Sequence, residues 1–302
     1  MTEKVFINDV GPRDGLQNQA KILTPAERLQ LINALVDAKL PAVEIGSFVN
    51  PKAVPAMAGT DEIAGKLPAA DVAFSALVAN FKGYELARDA GVKIVNLPIA
   101  ASNTMNEKNI RKNNAEAIAL TIDIIAAGKK EGVEAIPYIA TAWECPFEGF
   151  VDDKVVIEMT GQFLDAGAKT IIMADTIGAA NPAQVTSLYK QLIAEYGADS
   201  LGAHFHDTRG FGVADAYAAL EAGIRIFDAS IGGLGGCPFA PGATGNVATE
   251  DIVVLFEQMG FDTGIDLNKL IAATDLATEL TGNCGGGHSM RWLKRQQEKG
   301  TL

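Results

Sequence analysis

A chain of 302 residues, 48% hydrophobic and 21% charged, carries enough apolar side chain for a core and does not read as disordered. Its length is about twice that of an ordinary domain, which leaves two domains or one large α/β barrel. With 25 Lys and Arg against 37 Asp and Glu, the net charge of −12 works against general affinity for nucleic acid or anionic membranes, although an anionic small ligand needs only a local basic cluster.

The first residues, Met1-Thr2-Glu3-Lys4, run straight into strand-like Val5-Phe6-Ile7 and leave no room for a signal or transit peptide, so a cytoplasmic protein is expected. Strands are predicted at residues 5–10, 42–46, 72–78, 93–98, 134–140, 170–174, 201–206 and 225–231, separated by helix-like segments. Thr24-Pro25-Ala26-Glu27 opens the first helix as cap, N1 proline and early acid. Ala90-Gly91, Ala166-Gly167 and Ala222-Gly223 each close a helix just before the next strand, where glycine supplies the left-handed residue. Eight such units without a composition break favour one (β/α)8 barrel over a doubly wound open sheet. The chain is read as one catalytic barrel domain over residues 1–302, with 262–302 as a helical extension. Helices at 267–280 and 288–297 are joined there by Asn283-Cys284-Gly285-Gly286-Gly287, by default a hinge or flexible tail.

Three cysteines, at 145, 237 and 284, are an odd number with no CxxC pair and argue against a disulfide framework or a Cys-rich zinc site. The uncharged run 229–249 carries six Gly and two Pro, which suits a loop and not a membrane helix.

Polar residues collect at the predicted strand ends. The first strand runs into Gly11-Pro12-Arg13-Asp14-Gly15-Leu16-Gln17, a turn that can aim a cation and an anion at one ligand or simply pair them on the surface. Glu44 ends the second strand and Asp175 the sixth, each an ion-pair partner or an acid/base group. His204 and His206 alternate on the seventh strand, so both imidazoles point the same way, as metal ligands or as a hydrogen-bonded pair. Gly232-Gly233-Leu234-Gly235-Gly236-Cys237 is entropically costly to order, which suggests close backbone approach or motion. Cys237 is there either a small buried hydrophobe or a mobile acid or nucleophile, and Asn246 either a helix cap or a carbonyl ligand. Together Asp14, His204, His206 and Asn246 offer two oxygens and two nitrogens without a thiolate. That set suits Mg²⁺ or Mn²⁺ with open positions, and Zn²⁺ or Co²⁺ in vitro.

VGPRDGLQN (10–18), VEIGSFV with the following Pro-Lys (43–52), ADTIG (174–178), HFHDT (204–208) and SIGGLGGCPFAPGATGNVATED (230–251) resemble the 3-hydroxy-3-methylglutaryl-CoA lyase family, in order and without large gaps. The resemblance implies a retro-aldol, Claisen-type cleavage of a 3-hydroxy-3-methyl acyl-CoA, in leucine breakdown for the namesake substrate, by a homodimer. It assigns Asp14, His204, His206 and Asn246 to a divalent metal. Arg13 would stabilise enolate character on the thioester oxygen and Cys237 would protonate the acetyl-CoA carbanion. Asp175, perhaps with His204, would take the hydroxyl proton, with Gln17 and Glu44 as supports.

The sequence departs from the family's pattern at Gln19, at Trp143-Glu144, at Arg209 and in the tail 282–291. These departures bear on the acyl substituent more than on the reaction: Arg209 could read an extra carboxylate and Trp143 could reshape the pocket. For coenzyme A the local positive charges are Lys52 and Lys108-Asn109-Ile110-Arg111-Lys112, otherwise a solvated helix segment. The competing readings are an acetyl-CoA/2-oxo acid synthase or aldolase of the same barrel group, and a non-catalytic metal-binding barrel.

Overall fold

A computed structural model describes residues 2–236 and 245–302. Eight parallel strands close into a barrel: β1 (Phe6–Asp9), β2 (Ala42–Ser47), β3 (Ala73–Leu77), β4 (Ile94–Ala100), β5 (Glu134–Ala140), β8 (Ile171–Asp175), β9 (Leu201–Phe205) and β10 (Ile226–Ala229), with β10 pairing back onto β1. The short strands β6 (Glu144–Cys145) and β7 (Gly149–Phe150) form a separate antiparallel hairpin beyond β5. Every residue of β2, β8 and β9 is buried, as expected where a parallel sheet is covered on both faces.

Helices wrap the barrel in chain order: α1 (Pro25–Asp37), α2 (Thr60–Ala64), α3 (Phe81–Asp89), α4 (Asn103–Ile110), α5 (Asn114–Glu131), α6 (Asp153–Ala166), α7 (Pro182–Tyr196), α8 (Gly212–Ala222), α9 (Thr249–Gln258), α10 (Leu267–Thr281) and α11 (Met290–Lys299). The expected caps form. Thr24 Oγ1 accepts from the Glu27 amide at 3.2 Å and the Glu27 carboxylate accepts from the Thr24 amide at 2.8 Å, a reciprocal capping box. Gly167 and Gly223 take φ of 104° and 113° at helix C-caps. No helix among the described residues is long and apolar enough to cross a membrane.

Strand ends differ from the sequence reading by one or two residues. β10 stops at Ala229 because Ser230 pairs with Ala248, after which the chain turns through Ile231–Gly233. Arg28 is fully buried without a carboxylate partner among the described residues, and burial lowers its basicity to about 10. It donates instead to the carbonyls of Ile45, Ala56 and Ala58 and to Thr60 Oγ1, tying down the segment after β2.

The segment 283–287 is not the loose tail its composition suggests. Gly287 N donates to Glu250, His288 N to Asp251 at 2.8 Å and Ser289 N to Asp251 at 2.6 Å, while Cys284 Sγ sits 3.7 Å from the Gly232 carbonyl. A Cβ on Gly287 would meet Ala248 Cβ at 2.6 Å, and one on Gly286 would meet Met290 Cγ at 2.6 Å. These glycines serve close packing, and the buried acids at the start of α9 hold the segment down.

Candidate metal and active centre

The barrel's C-terminal face gathers the strand-end residues. Beyond β1 the chain winds through a π-type turn, Gly11–Gly15, whose amides at Arg13, Asp14 and Gly15 share the Val10 carbonyl. The turn needs glycine at its start, since a Cβ on Gly11 would fall 2.7 Å from Asp9 Oδ1. It aims Arg13 and Asp14 into the mouth.

Arg13 bridges two acids. Its Nε donates to Glu44 Oε2 at 2.5 Å and its Nη1 to Asp14 Oδ1 at 2.6 Å, with its side chain 9% exposed. Burial opposes the guanidinium charge, but Glu44 and Asp14 outweigh it and hold Arg13 firmly protonated. Burial pushes the Glu44 carboxyl up, against the pull of Arg13 and of Asn96, whose Nδ2 donates at 2.8 Å. Burial also opposes the Asp14 charge, yet Arg13 and His206 keep its carboxyl well below the usual range.

Asp14, His204 and His206 each present a ligand atom, and these atoms all lie within 4.8 Å of one another, the one such group among the described residues. His206 Nε2 is 3.4 Å from Asp14 Oδ2. His204 Nδ1 is taken by Asp228 Oδ2 at 3.0 Å, which leaves Nε2 as its ligand atom. Asn246 reaches the same spot through a bridge to His206. It is not the cap of α9, which is Ala248. Its Nδ2 donates to Asp14 Oδ2 at 2.8 Å and to the Leu234 carbonyl at 3.0 Å.

The donor set fits a divalent cation. Asn246 Oδ1 and His206 Nδ1 are buried with no partner among the described residues. A buried acceptor left without a donor costs about 1–3 kcal/mol, a cost that coordination of the Asn246 oxygen would remove. Two imidazoles, a carboxylate and an amide oxygen, without a thiolate, suit a hard-to-borderline ion with open positions.

The other residues singled out from the sequence fall as follows. Asp175 is 1% exposed at the end of β8, where the amides of Ala179 and Ala180 donate to its two oxygens at 3.0 and 2.9 Å; burial nonetheless pushes its carboxyl up. Gln17 is half-buried beyond the turn and makes no side-chain hydrogen bond to a described residue. Cys237 lies outside the described residues. The chain leading to it is held by Asn18, which donates to the Gly236 carbonyl at 2.8 Å, and the chain leaving it returns at Asn246.

Arg209 and Trp143 do not line the metal cluster. Arg209 donates to the Ala179 carbonyl at 3.2 Å and faces Glu144 at 3.8 Å, clasping the β6–β7 hairpin. Trp143 is 1% exposed and packs its ring at a tilt against Phe205 and Tyr189. Gln19 bonds the Gly15 carbonyl at 3.0 Å. Lys108 spreads its charge over the Phe147 ring at 4.8 Å.

Sequence reading missed the supports beneath the candidate ligands. Asp228 accepts from Asn8 Nδ2 at 2.8 Å and bonds Tyr138, whose ring stands edge-on to His204. The available signal was a polar residue interrupting an apolar strand: Asn8 in β1, Asn96 in β4 and Asp228 in β10.

The chain is similar to known proteins in sequence and in fold. Residues 4–277 match the family model described as HMGL-like. The chain is 44% identical over 291 residues to an (R)-citramalyl-CoA lyase of Chloroflexus aurantiacus, covering 93% of this chain and 92% of that one. Among solved structures, an HMG-CoA lyase of Bacillus subtilis superimposes with a TM-score of 0.93 at 38% identity, covering 97% of this chain and 98% of that one. An HMG-CoA lyase of Acinetobacter baumannii, in complex with coenzyme A and 3-methylmalate, gives 0.91 at 36% identity over 95% and 94%.

Proposed function

This chain belongs to the HMGL-like family, and from that premise we propose that it is a divalent-metal-dependent carbon–carbon lyase acting on 3-hydroxy-3-methyl acyl-CoA thioesters. The observation that carries the reading is the convergence of Asp14, His204 and His206 beside an Arg13 held by two carboxylates. With 3-hydroxy-3-methylglutaryl-CoA the products are acetyl-CoA and acetoacetate; with citramalyl-CoA they are acetyl-CoA and pyruvate. In each, the tertiary hydroxyl loses its proton and becomes a ketone as the bond to the thioester's α-carbon breaks, and that carbon then gains a proton.

Asp14, His204, His206 and Asn246 would hold Mg²⁺ or Mn²⁺. When bound, the cation supplies Lewis acidity that favours ionisation of the substrate hydroxyl. Asp175, made more basic by burial, is the acceptor we assign for that proton. Arg13 stabilises the negative charge that develops on the thioester oxygen. Its Nε and Nη1 are fixed by Glu44 and Asp14, so it is oriented before the reaction and Nη2 has no bond to a described residue. Cys237, between the Asn18-anchored Gly236 and Asn246, is the donor we assign to the carbanion.

The test is incubation of chelator-treated protein, resupplied with Mg²⁺ or Mn²⁺, with 3-hydroxy-3-methylglutaryl-CoA, citramalyl-CoA and longer 3-hydroxyacyl-CoAs, read by mass spectrometry. Acetyl-CoA and the matching keto acid in equal amounts from at least one substrate are expected. No cleavage of any of them with either metal would refute the reading.

A further inference from the structure

The C-terminal helix α11 begins at the catalytic face. The amides of His288 and Ser289, just ahead of it, are bound by Asp251 in the first turn of α9, and His288 Nε2 lies 3.7 Å from Asp207, just beyond β9. From there α11 runs antiparallel along α10, with Lys294 on Asp275 at 2.6 Å and Gln297 on Asn268 at 3.0 Å. It buries Met290 and Leu293 against Ile271. At 3.6 residues per turn, Arg291, Trp292, Arg295 and Lys299 share the opposite face.

The chain carries a net charge of −12. Of the other arginines at the surface, Arg88, Arg209 and Arg225 are matched with carboxylates, and Arg111 at the end of α4 is exposed without an ion pair to a described residue. Arg291 and Arg295 have no ion pair with a described residue, and Trp292 between them is 45% exposed. Elsewhere at the mouth, the one cation set over an exposed ring, Lys108 on Phe147, already fills that ring's face. An aromatic plane flanked by two unmatched guanidinium groups is chemistry for a base bearing phosphates: the ring stacks, and the forked donors grip the oxygens.

We propose that Arg291, Trp292 and Arg295 bind the 3′-phosphoadenosine diphosphate end of the thioester substrate, with adenine on Trp292 and the phosphates on the two arginines. The proposal rests on the acyl-CoA reading of the site and names where the remote end of that substrate is held. Binding there would bring affinity from a part of the molecule far from the bond that breaks, without altering the chemistry at Arg13 and the ligand set.

The test compares a coenzyme A thioester with the matching pantetheine thioester, which lacks the nucleotide. For Arg291→Gln/Arg295→Gln, KM for the coenzyme A thioester is expected to rise at least about tenfold with kcat unchanged, while KM for the pantetheine thioester stays at the parent's value. An unchanged KM for the coenzyme A thioester, or equal rises for both, overturns the proposal. A second readout does not need turnover. The chain has two tryptophans, and Trp143 is 1% exposed, so emission from an exposed indole reports Trp292. Adenosine 3′,5′-bisphosphate is expected to quench it in the parent and not in the double variant. Absence of quenching in the parent, or quenching by an acidic peptide and not by the nucleotide, overturns the proposal even if no thioester is cleaved.

Discussion

Asp228 Oδ2 lies 3.0 Å from His204 Nδ1, and the same carboxylate accepts from Asn8 Nδ2 at 2.8 Å. The pair sets which ring nitrogen of His204 faces Asp14 and His206. Burial opposes a charge on His204, but Asp228, through its hydrogen bond and its charge, pulls the imidazole up. A carboxylate behind a ligating histidine fixes the ring and raises its basicity.

Asp228→Asn keeps the shape of the contact and removes the charge. Affinity for Mn²⁺ is expected to fall by about 10- to 100-fold, with the circular dichroism spectrum and unfolding midpoint near the parent's. Isothermal titration of metal-stripped protein checks it; affinity equal to the parent's would show that Asp228 does not tune His204.

Cys237→Ala is expected to leave metal binding intact and to lower turnover by at least about a hundredfold, the scale of a positioned proton donor. Single-turnover kinetics with metal analysis on the same sample separates the two effects. Turnover within a few-fold of the parent removes the thiol from the mechanism.

Asp215 on α8 is 1% exposed, and neither of its carboxylate oxygens has a partner among the described residues. Burial first, then the charges of Asp175 and Asp207, push its carboxyl up to about 7. A folded value above the unfolded one, about 3.9, means that the folded chain holds a proton the unfolded chain has lost. The stability this contributes is complete below about pH 4 and is lost as pH rises through 7. Asp215→Asn removes the titration. Measured by urea unfolding, the variant is expected to gain on the parent from pH 5 to pH 8 by about 2–4 kcal/mol. A gap that does not change with pH contradicts the assignment.

How much of this was legible in the sequence follows from where each signal is local. All eight barrel strands were readable, because each is a short apolar run closed by glycine or a polar turn. The β6–β7 hairpin was not, since its two-residue strands carry no period. The grouping of the candidate ligands Asp14, His204 and His206, with Asn246 beside them, was readable because each lies in or next to a distinctive strand-end segment. Asp228 and Asn8 were not, since a single polar residue within an apolar strand says nothing about which partner it touches across 24 or 220 positions of chain. The glycine run 285–287 misled for a related reason: composition cannot distinguish glycine needed for motion from glycine needed to let Asp251 and Met290 come close.

The proposed ligand set draws Asp14, the neighbouring His204 and His206, and Asn246 from three parts of the chain onto one divalent cation. The most direct measurement is a Mn²⁺ titration of chelator-stripped protein followed by electron paramagnetic resonance. The parent is expected to take up one tightly held ion per chain, and His206→Ala to hold none at the same concentrations. Equal uptake by the two proteins would contradict the ligand set.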